Sequence, residues 1–520
     1  MILEIKRLIQ IVVLVLFLAL FLEGFSQKSF NFIQKKRFAD ANSHFQLGDY
    51  QTALDIYNDL YIIDSLNGEL NYYLAASLYA LKGDANQVKK LLTQSVRNNY
   101  VKANLLLGKI SHSEEQLNDA IVFYEAYKAV FDTDEVNRLI AISERAKQMI
   151  GVATQKEIKN LGKTINSVYA DYVPLISADE TMLIFTSRRE GSTGGILDPY
   201  NHYFEDIYVS YFENGEWTAP KQISKNINTV THDACAGLSP DGNTLVIYST
   251  NKEMTGGDLY WSEGLPNGDW TKPKKYGNHI NSGNQEASAS FTPDGNTLYF
   301  SSNRPGGKGG KDLYRTVRFG NGDWSKPLNL GKDLNTPYDE DAPFIHPDGH
   351  TLYFSSKGHG TIGGYDIFQA KLNEDGNWSN PVNIGYPINT VSDDIYFVVS
   401  GDGKTGYYSS EKDEGYGNQD IYRVNLQESP KPIAKGKIVN KKGEAIKARI
   451  TLYDVTKDFK KGIYLSNAKS GNFIMVVEFG EQYEILIEAE GYAEKKMKFG
   501  FENMQEGNPV LLDDIVLRKY

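Results

Sequence analysis

Thr292-Pro-Asp294-Gly-Asn-Thr297-Leu-Tyr-Phe-Ser-Ser302 is followed by a Gly-rich loop, then Asp312-Leu-Tyr314, then Trp324, and closes on Pro327-Leu-Asn-Leu-Gly331. Pro-Asp-Gly is turn chemistry: proline presets φ, aspartate bonds its own backbone two residues on, and glycine takes the positive φ that finishes the turn. The run after it has the two-residue apolar period of a strand. The same order occurs five times, with turns at Ser177-Ala-Asp179, Ser239-Pro-Asp241, Thr292-Pro-Asp294, His346-Pro-Asp348 and Ser400-Gly-Asp402, so the aspartates step by 62, 53, 54 and 54 residues. An Asp-Leu/Ile-aromatic element follows in each copy, at Asp206, Asp258, Asp312, Asp366 and Asp420, and a last short strand carries Trp217, Trp270, Trp324 or Trp378. Turn, strand, loop, strand and Trp-strand make one four-stranded blade, and repetition predicts a five-bladed all-β propeller.

Two further positions keep time with the turns. Thirteen residues before each turn aspartate stands Asn166, Asn228, Asn281, Asn335 or Asn389, and eight before it stands Asp171, Asp233, Glu286, Glu340 or Asp394. The fifth copy stops at Leu426 without a Trp-strand, while Asn160-Leu-Gly-Lys-Thr-Ile-Asn166 matches Asn329-Leu-Gly-Lys-Asp-Leu-Asn335 at five of seven places. Residues near 156–162 are therefore expected to supply the outer strand of the last blade, closing the ring and removing exposed sheet edges. Six blades are the alternative if residues 151–160 hide another copy. These repeats resemble the WD40-like (PD40) propeller repeat of the periplasmic Tol-associated family over about residues 156–426.

Residues 30–150 carry a different period. Leu47-Gly-Asp-Tyr50, Ala53, Leu54 and Tyr57 are followed by Gly83-Asp84, Val88 and Leu92, a step of 35 residues, and Leu117, Ala120, Ile121 and Tyr124 form a third copy. Small and large apolar residues at these offsets let the helices of a hairpin nest closely. The pattern resembles the tetratricopeptide repeat (TPR), with the amphipathic segment Asp134–Ile150 as a terminal capping helix. The resemblance implies a solenoid with a concave groove for a peptide or partner helix.

After a polar linker at 427–432, strand-like alternation returns at Ala434–Val439, Ala448–Tyr453, Gly471–Val477 and Tyr483–Ala489, which predicts a small antiparallel β-sandwich over 432–520. The order of its Gly, Phe and Tyr positions resembles the carboxypeptidase regulatory-like domain, usually a spacer or docking piece. Together the three parts are similar to OmpA-family envelope proteins associated with type IX secretion, in which an OmpA-like domain follows. This chain reaches Tyr520 without one, so peptidoglycan binding is not among the expectations.

The N-terminus sets the expected compartment. Lys6 and Arg7 precede the apolar run Ile11–Leu22, and Gly24 and Ser26 follow, which is the order of a cleavable signal peptide over residues 1–26. The run falls short of a bilayer span, with an uncleaved anchor as the alternative. The lone cysteine, Cys235, is far from the cleavage point and permits neither an intrachain disulfide nor a lipid anchor. An exported protein of the periplasm or outer-membrane periphery is expected. The net charge of −11, without a basic run, excludes a nucleic-acid partner.

Little in the sequence points to catalysis, and the expectation is a chain that is not an enzyme: a scaffold binding envelope proteins or peptide segments. Asp171, Asp233, Glu286, Glu340 and Asp394 would recur at one level of the ring, where like charges repel unless paired or bridged. A Ca2+ ion or a basic peptide tail would satisfy them. Alternatively each caps a strand or bonds a neighbouring backbone, and recurrence in every copy favours that account. The nearest enzymatic alternative is a glycan-binding or glycan-active, sialidase-like propeller, but the Asp-box is absent and Arg188, Arg189 and Arg304 are the only arginines at blade loops. No Gly-x-Ser-x-Gly or His-Glu-x-x-His motif occurs. His346, in a turn, is expected to face solvent. The one long departure from the repeat is the loop Glu190–Glu205, where Tyr200, His202, Tyr203 and Phe204 are the candidate contacts.

Overall fold

The computed structural model describes residues 30–152, 156–195, 197–198, 201–251, 256–412, 414–426, 431–500 and 509–520. The expected signal peptide, most of the linker and Tyr200 lie outside the described residues. The chain divides into two compact units, Met1–Glu144 and Arg145–Tyr520, and no described helix is long and apolar enough to cross a membrane.

The first unit is helical: α1 (Phe32–Gln46), α2 (Tyr50–Ile63), α3 (Gly68–Ala80), α4 (Ala85–Arg97), α5 (Ala103–Ser113), α6 (Leu117–Lys128) and the start of α7 (Asp134–Gly151). The side chains of Asn31, Asp49, Asn67 and Asp84 cap the first four by accepting the backbone N–H three residues on, which satisfies donors a helix start leaves unpaired. Ala53, Val88 and Ala120 are buried, as are Tyr57, Leu92 and Tyr124. A second small-residue series, Ala41, Ala75 and Gly108, runs through α1, α3 and α5 and is buried too. At Gly108 the contact is so close that a Cβ would sit 2.4 Å from the Tyr124 ring.

The second unit contains five antiparallel sheets in succession. Their innermost strands are Asp171–Ile176, Asp233–Leu238, Glu286–Phe291, Glu340–Ile345 and Asp394–Val399. Each inner strand packs on the next, and the fifth packs on the first, a propeller-like arrangement. In the fifth sheet the strand Ile158–Asn160 pairs outside Asp420–Asn425, with Asn160 opposite Tyr422. The third sheet has the same register, Asn329 opposite Tyr314.

The recurring asparagines and the aspartates of the Asp-Leu/Ile-aromatic element explain this regularity. Asn335 accepts from the Leu313 N–H (2.7 Å) and donates to the Leu313 carbonyl (3.0 Å) and to Asn329 Oδ1 (2.9 Å). Asn166 does the same across the closure, with Ile421 (2.9 and 3.0 Å) and Asn160 (2.8 Å). Asp312 and Asp420 each take two N–H groups of the preceding loop and an amide from the outer strand, Asn329 (2.7 Å) or Asn160 (2.6 Å). One buried side chain thus ties three segments together, and backbone groups that would otherwise be orphaned are paired.

Two local expectations need correction. The tryptophans precede the outermost strand: Trp270, Trp324 and Trp378 each form a single bridge in a hairpin, and the paired strands are Lys274–Lys275, Leu328–Asn329 and Val382–Asn383. His346 does not face solvent; it is 1% exposed, with Nε2 3.2 Å from the Ser400 carbonyl oxygen.

The terminal residues form two sheets around one apolar core that includes Ile438, Ile450, Phe473 and Ile485. The second sheet is antiparallel throughout. The first is mixed, because Ile433–Asn440 pairs parallel with Val510–Leu511 and Ile515–Leu517, short strands that lacked a readable alternation. This part is fastened to the turns of the first and second sheets: Asn243 donates to the Ser466 carbonyl (2.9 Å), Asn467 to the Asp241 carbonyl (2.8 Å) and Asn472 to Asp179 (3.2 Å).

Candidate functional site

The register fixes which groups share an end of the ring. Asp171 lies opposite Ser187, and Ser187 opposite Asp206. The start of each inner strand, the end of the second and the start of the third therefore lie together. The loop Glu190–Glu205 joins second and third strands at this end.

Each of the five recurring carboxylates begins an inner strand, and each is 0–1% exposed. Each accepts the N–H and the hydroxyl of the residue four before it: Ser167 for Asp171, Thr229 for Asp233, Ser282 for Glu286, Thr336 for Glu340 and Thr390 for Asp394. Ser249, Ser302, Ser356 and Ser410 add a second hydroxyl to the last four, at 2.6–2.8 Å. Arg189 pairs with Asp171 (2.6 Å) and Arg304 with Glu286 (3.2 Å). Where no arginine is present, burial dominates. It pushes Asp394 and Glu340 up to about 7 and raises Asp233, against the hydroxyls and N–H groups that bond them. None of the five lines the central cavity, about 30 Å3 in volume and walled by later residues of the inner strands. Among the described residues no group of three or more His, Cys, Asp or Glu stands as a metal cage.

The same end carries a second set of polar groups. Arg188 Nη1 is 3.1 Å from Asp198 and Nη2 is 3.1 Å from Glu205 Oε1. His232 Nδ1 is 3.2 Å from Glu205 Oε2, and the Tyr172 hydroxyl donates to Glu205. Burial works to raise the Glu205 carboxyl, but the His232 hydrogen bond, the Arg188 charge and the Tyr172 hydroxyl outweigh it and hold the group at about 2. Further round the ring, Lys311 Nζ is 2.7 Å from Asp341 Oδ2, and Ser288 and Ser301 donate to Asp341 Oδ1 (2.5 and 2.6 Å). Asp341 is likewise lowered: the Lys311 charge overcomes burial. The half-buried Tyr396 feels both carboxylates. Beside these groups the inner strand turns through a positive φ at Val173 (52°), Ala342 (51°) and Tyr396 (61°), a conformation that costs a non-glycine residue of order 1–3 kcal/mol.

Of the loop candidates, Tyr200 lies outside the described residues. Phe204 is buried, edge-on to the His232 ring at 4.7 Å, and a Cβ on Gly194 would come within 2.7 Å of it. It anchors the loop. His202 keeps half its side chain exposed, 3.8 Å from Asp198, and Tyr203 stands edge-on to Tyr169 at 5.4 Å.

The sequence reading passed over Tyr172, Glu205, His232, Lys311 and Asp341. Their signal is departure from the repeat. The residue after the inner carboxylate is Tyr172, Ala234, Ala287, Asp341 or Ile395; the residue before the third-strand aspartate is Glu205, Gly257, Lys311, Tyr365 or Gln419. What every copy shares is scaffold, and what one copy alone has is free for other work. This end of the ring thus holds two carboxylates, each fixed by an internal cation and by hydroxyl donors.

No family model matches the chain, and no curated relative does. Among solved structures, one assigned as a TolB from Agrobacterium tumefaciens is similar at 16% identity, covering 62% of this chain and 97% of that one, with a TM-score of 0.31. The first TPR of Spaghetti (RPAP3), bound to an HSP90 peptide, matches at 22% identity over 22% of this chain and 93% of its own, TM-score 0.21. An α-L-arabinofuranosidase from Lactobacillus brevis matches at 16% identity over 55% and 97%, TM-score 0.34. At such scores none of them carries an activity, ligand or family to this chain. The expectation that the chain is not an enzyme is nevertheless corrected: glycoside hydrolases recur among the similar structures, so a fold of this kind is compatible with catalysis and does not exclude it.

Proposed function

We propose that the chain is an exported adaptor of the cell envelope that holds other envelope proteins or peptide segments. In this reading the five sheets are the blades of one closed propeller over 156–426. Residues 30–150 are a TPR-like array, residues 432–520 a carboxypeptidase regulatory-like sandwich, and residues 1–26 a signal peptide. The protein sits in the periplasm or at the periphery of the outer membrane, with secretion-machinery proteins among its partners. The observation that carries the reading is the loop Glu190–Glu205. Phe204 is buried there and Arg188 pairs with Asp198 and Glu205, while His202 is half exposed and Tyr203 partly so. Side chains held in place before binding lose little entropy on complex formation. The test is crosslinking co-purification of a tagged copy from host envelope fractions, wild type against His202→Ala/Tyr203→Ala. Partners retained by the wild type and lost by the double variant support the reading; an unchanged set, or none, overturns it.

A second reading, glycan-active, is favoured by the ionised Glu205 and Asp341 at the mouth with Tyr172, His232 and Lys311 beside them. Hydrolysis of a glycan by the purified chain, abolished in Glu205→Gln, would establish it.

A further inference from the structure

The repeat provides a filter for function elsewhere on the second unit. Three residues after the third-strand aspartate the copies have Val209, Trp261, Arg315, Gln369 and Arg423, and seven after it Glu213, Leu265, Phe319 and Asn373. Trp261 and Phe319 are thus large aromatics that the blade does not require. They come from different sheets, the second and third, yet they line one groove of about 840 Å3, within the roughly 300–1,000 Å3 of small-molecule sites. A third aromatic wall is Trp324. Its counterpart Trp270 is 5% exposed, whereas Trp324 is only half-buried. Tyr276 and Phe291 pack against the Trp324 ring, each 6.3 Å away, and hold it in place. Lys274 Nζ, 4.9 Å from the Trp261 ring centre, steadies the second indole. Phe319 is 56% exposed, and an exposed ring of that size on a repeat protein needs a reason.

The remaining lining is polar and carries little net charge. Asn278 and Asn296 present amides, and the carboxylates of Asp241, Glu263, Asp294 and Asp323 stand against Lys275, Arg318 and Lys447. His279 Nδ1 is 2.6 Å from the Trp324 carbonyl oxygen. A carbonyl only accepts, so Nδ1 carries the proton, and in the neutral ring Nε2 is left as an acceptor. Flat aromatic faces suit the C–H faces of pyranose rings, while amides, carboxylates and an imidazole suit vicinal hydroxyls, which both donate and accept. An anion finds no excess of positive charge here, and a cation only a single uncompensated carboxylate.

We propose that this groove between the second and third sheets is a binding site for a short neutral oligosaccharide. It is a binding site apart from the ring's mouth and rests on no reading of that end. Trp261, Trp324 and Phe319 supply the stacking surfaces, and Asn278, His279 and Asp323 the hydroxyl partners.

The test uses the full mature chain and five probes: cellohexaose, xylohexaose, mannohexaose, laminarihexaose and maltohexaose, followed by tryptophan fluorescence and calorimetry. At least one probe is expected to bind and to shift indole emission. Trp261→Ala is expected to weaken it more than about tenfold, as loss of a central aromatic anchor does. Phe319→Ala, at an exposed position that leaves folding intact, is expected to weaken it measurably, and Lys498→Ala, exposed on the terminal sheet, to leave it unchanged. Absence of binding to all five probes overturns the proposal. So does binding that survives both aromatic substitutions, or that is lost in Lys498→Ala. Capture of an aromatic peptide in this groove without any sugar binding would also overturn it.

Discussion

Replacing Asn166 by alanine tests the ring closure at a single side chain. Its amide accepts the Ile421 N–H and donates to the Ile421 carbonyl, across 255 residues of sequence, and donates to Asn160, six residues away. The Ile421 carbonyl keeps a second partner, the Leu161 N–H at 3.1 Å; the Ile421 N–H keeps none, since Asn166 is its acceptor. The loss is therefore one orphaned buried donor, about 1–3 kcal/mol, plus the net worth of two more hydrogen bonds at about 1 kcal/mol each, for a total of about 4 kcal/mol. Asn335→Ala is the internal control, because Asn335 makes the same three bonds with its two to Leu313 spanning only 22 residues. Urea unfolding of the full chain should give both variants the same loss. Amide exchange should separate them: Asp420–Asn425 is expected to lose protection in Asn166→Ala alone. A loss below about 1 kcal/mol, or unchanged exchange in that strand, would refute the claim that this residue latches the closure.

Three further expectations concern other parts of the chain. Glu340 and Asp394, raised by burial to about 7 from ordinary values of 4.5 and 3.8, bind protons in the folded state that the unfolded chain has released. Stability should therefore fall as pH rises from about 5 to about 8. Glu205 acts oppositely, its contribution being lost only as pH falls from 4.5 through about 2, outside that window. Thermal melting across the window tests the sign, and the slope should flatten in Glu340→Gln/Asp394→Asn. Phe204→Ala should cost about 3 kcal/mol and open the loop Glu190–Glu205 to protease, as read by limited proteolysis. Gly108→Ala forces a Cβ into the Tyr124 ring and should destabilise the helical unit by about 1–3 kcal/mol, seen as an earlier helical transition by circular dichroism.

Much of the sheet architecture was legible because repetition inside one chain supplies its own comparison. The turn aspartates, the asparagines and the outer-strand match of Asn160–Asn166 with Asn329–Asn335 were all visible. Their jobs were not, since a side chain that bonds both groups of a residue on another strand leaves no local pattern. His346 misled because a turn reads as solvent-facing, yet this position is buried in other copies too, at Ser177, Ser239 and Ser400, and the imidazole there meets the Ser400 carbonyl. The polar mouth was hidden for a different reason. Agreement among copies draws attention to Asp171 and its equivalents, which are occupied by their own Ser and Thr partners. Glu205, Lys311 and Asp341 are exceptions to the repeat, and only the fold brings exceptions from separate copies together. The parallel strands Val510–Leu511 and Ile515–Leu517 were too short to carry a period.

The closing strand has a consequence for how the chain comes into being. Ile158–Asn160 leaves the ribosome early, but its partner, Asp420–Asn425, arrives some 260 residues later. Until then the ring has no last sheet, and contacts this distant in sequence form slowly because a long loop must first be ordered. A growing chain is thus held open by its own connectivity. The last sheet is complete only once residue 425 has been made, so the fold itself defers its final pairing until all five sheets have been synthesised.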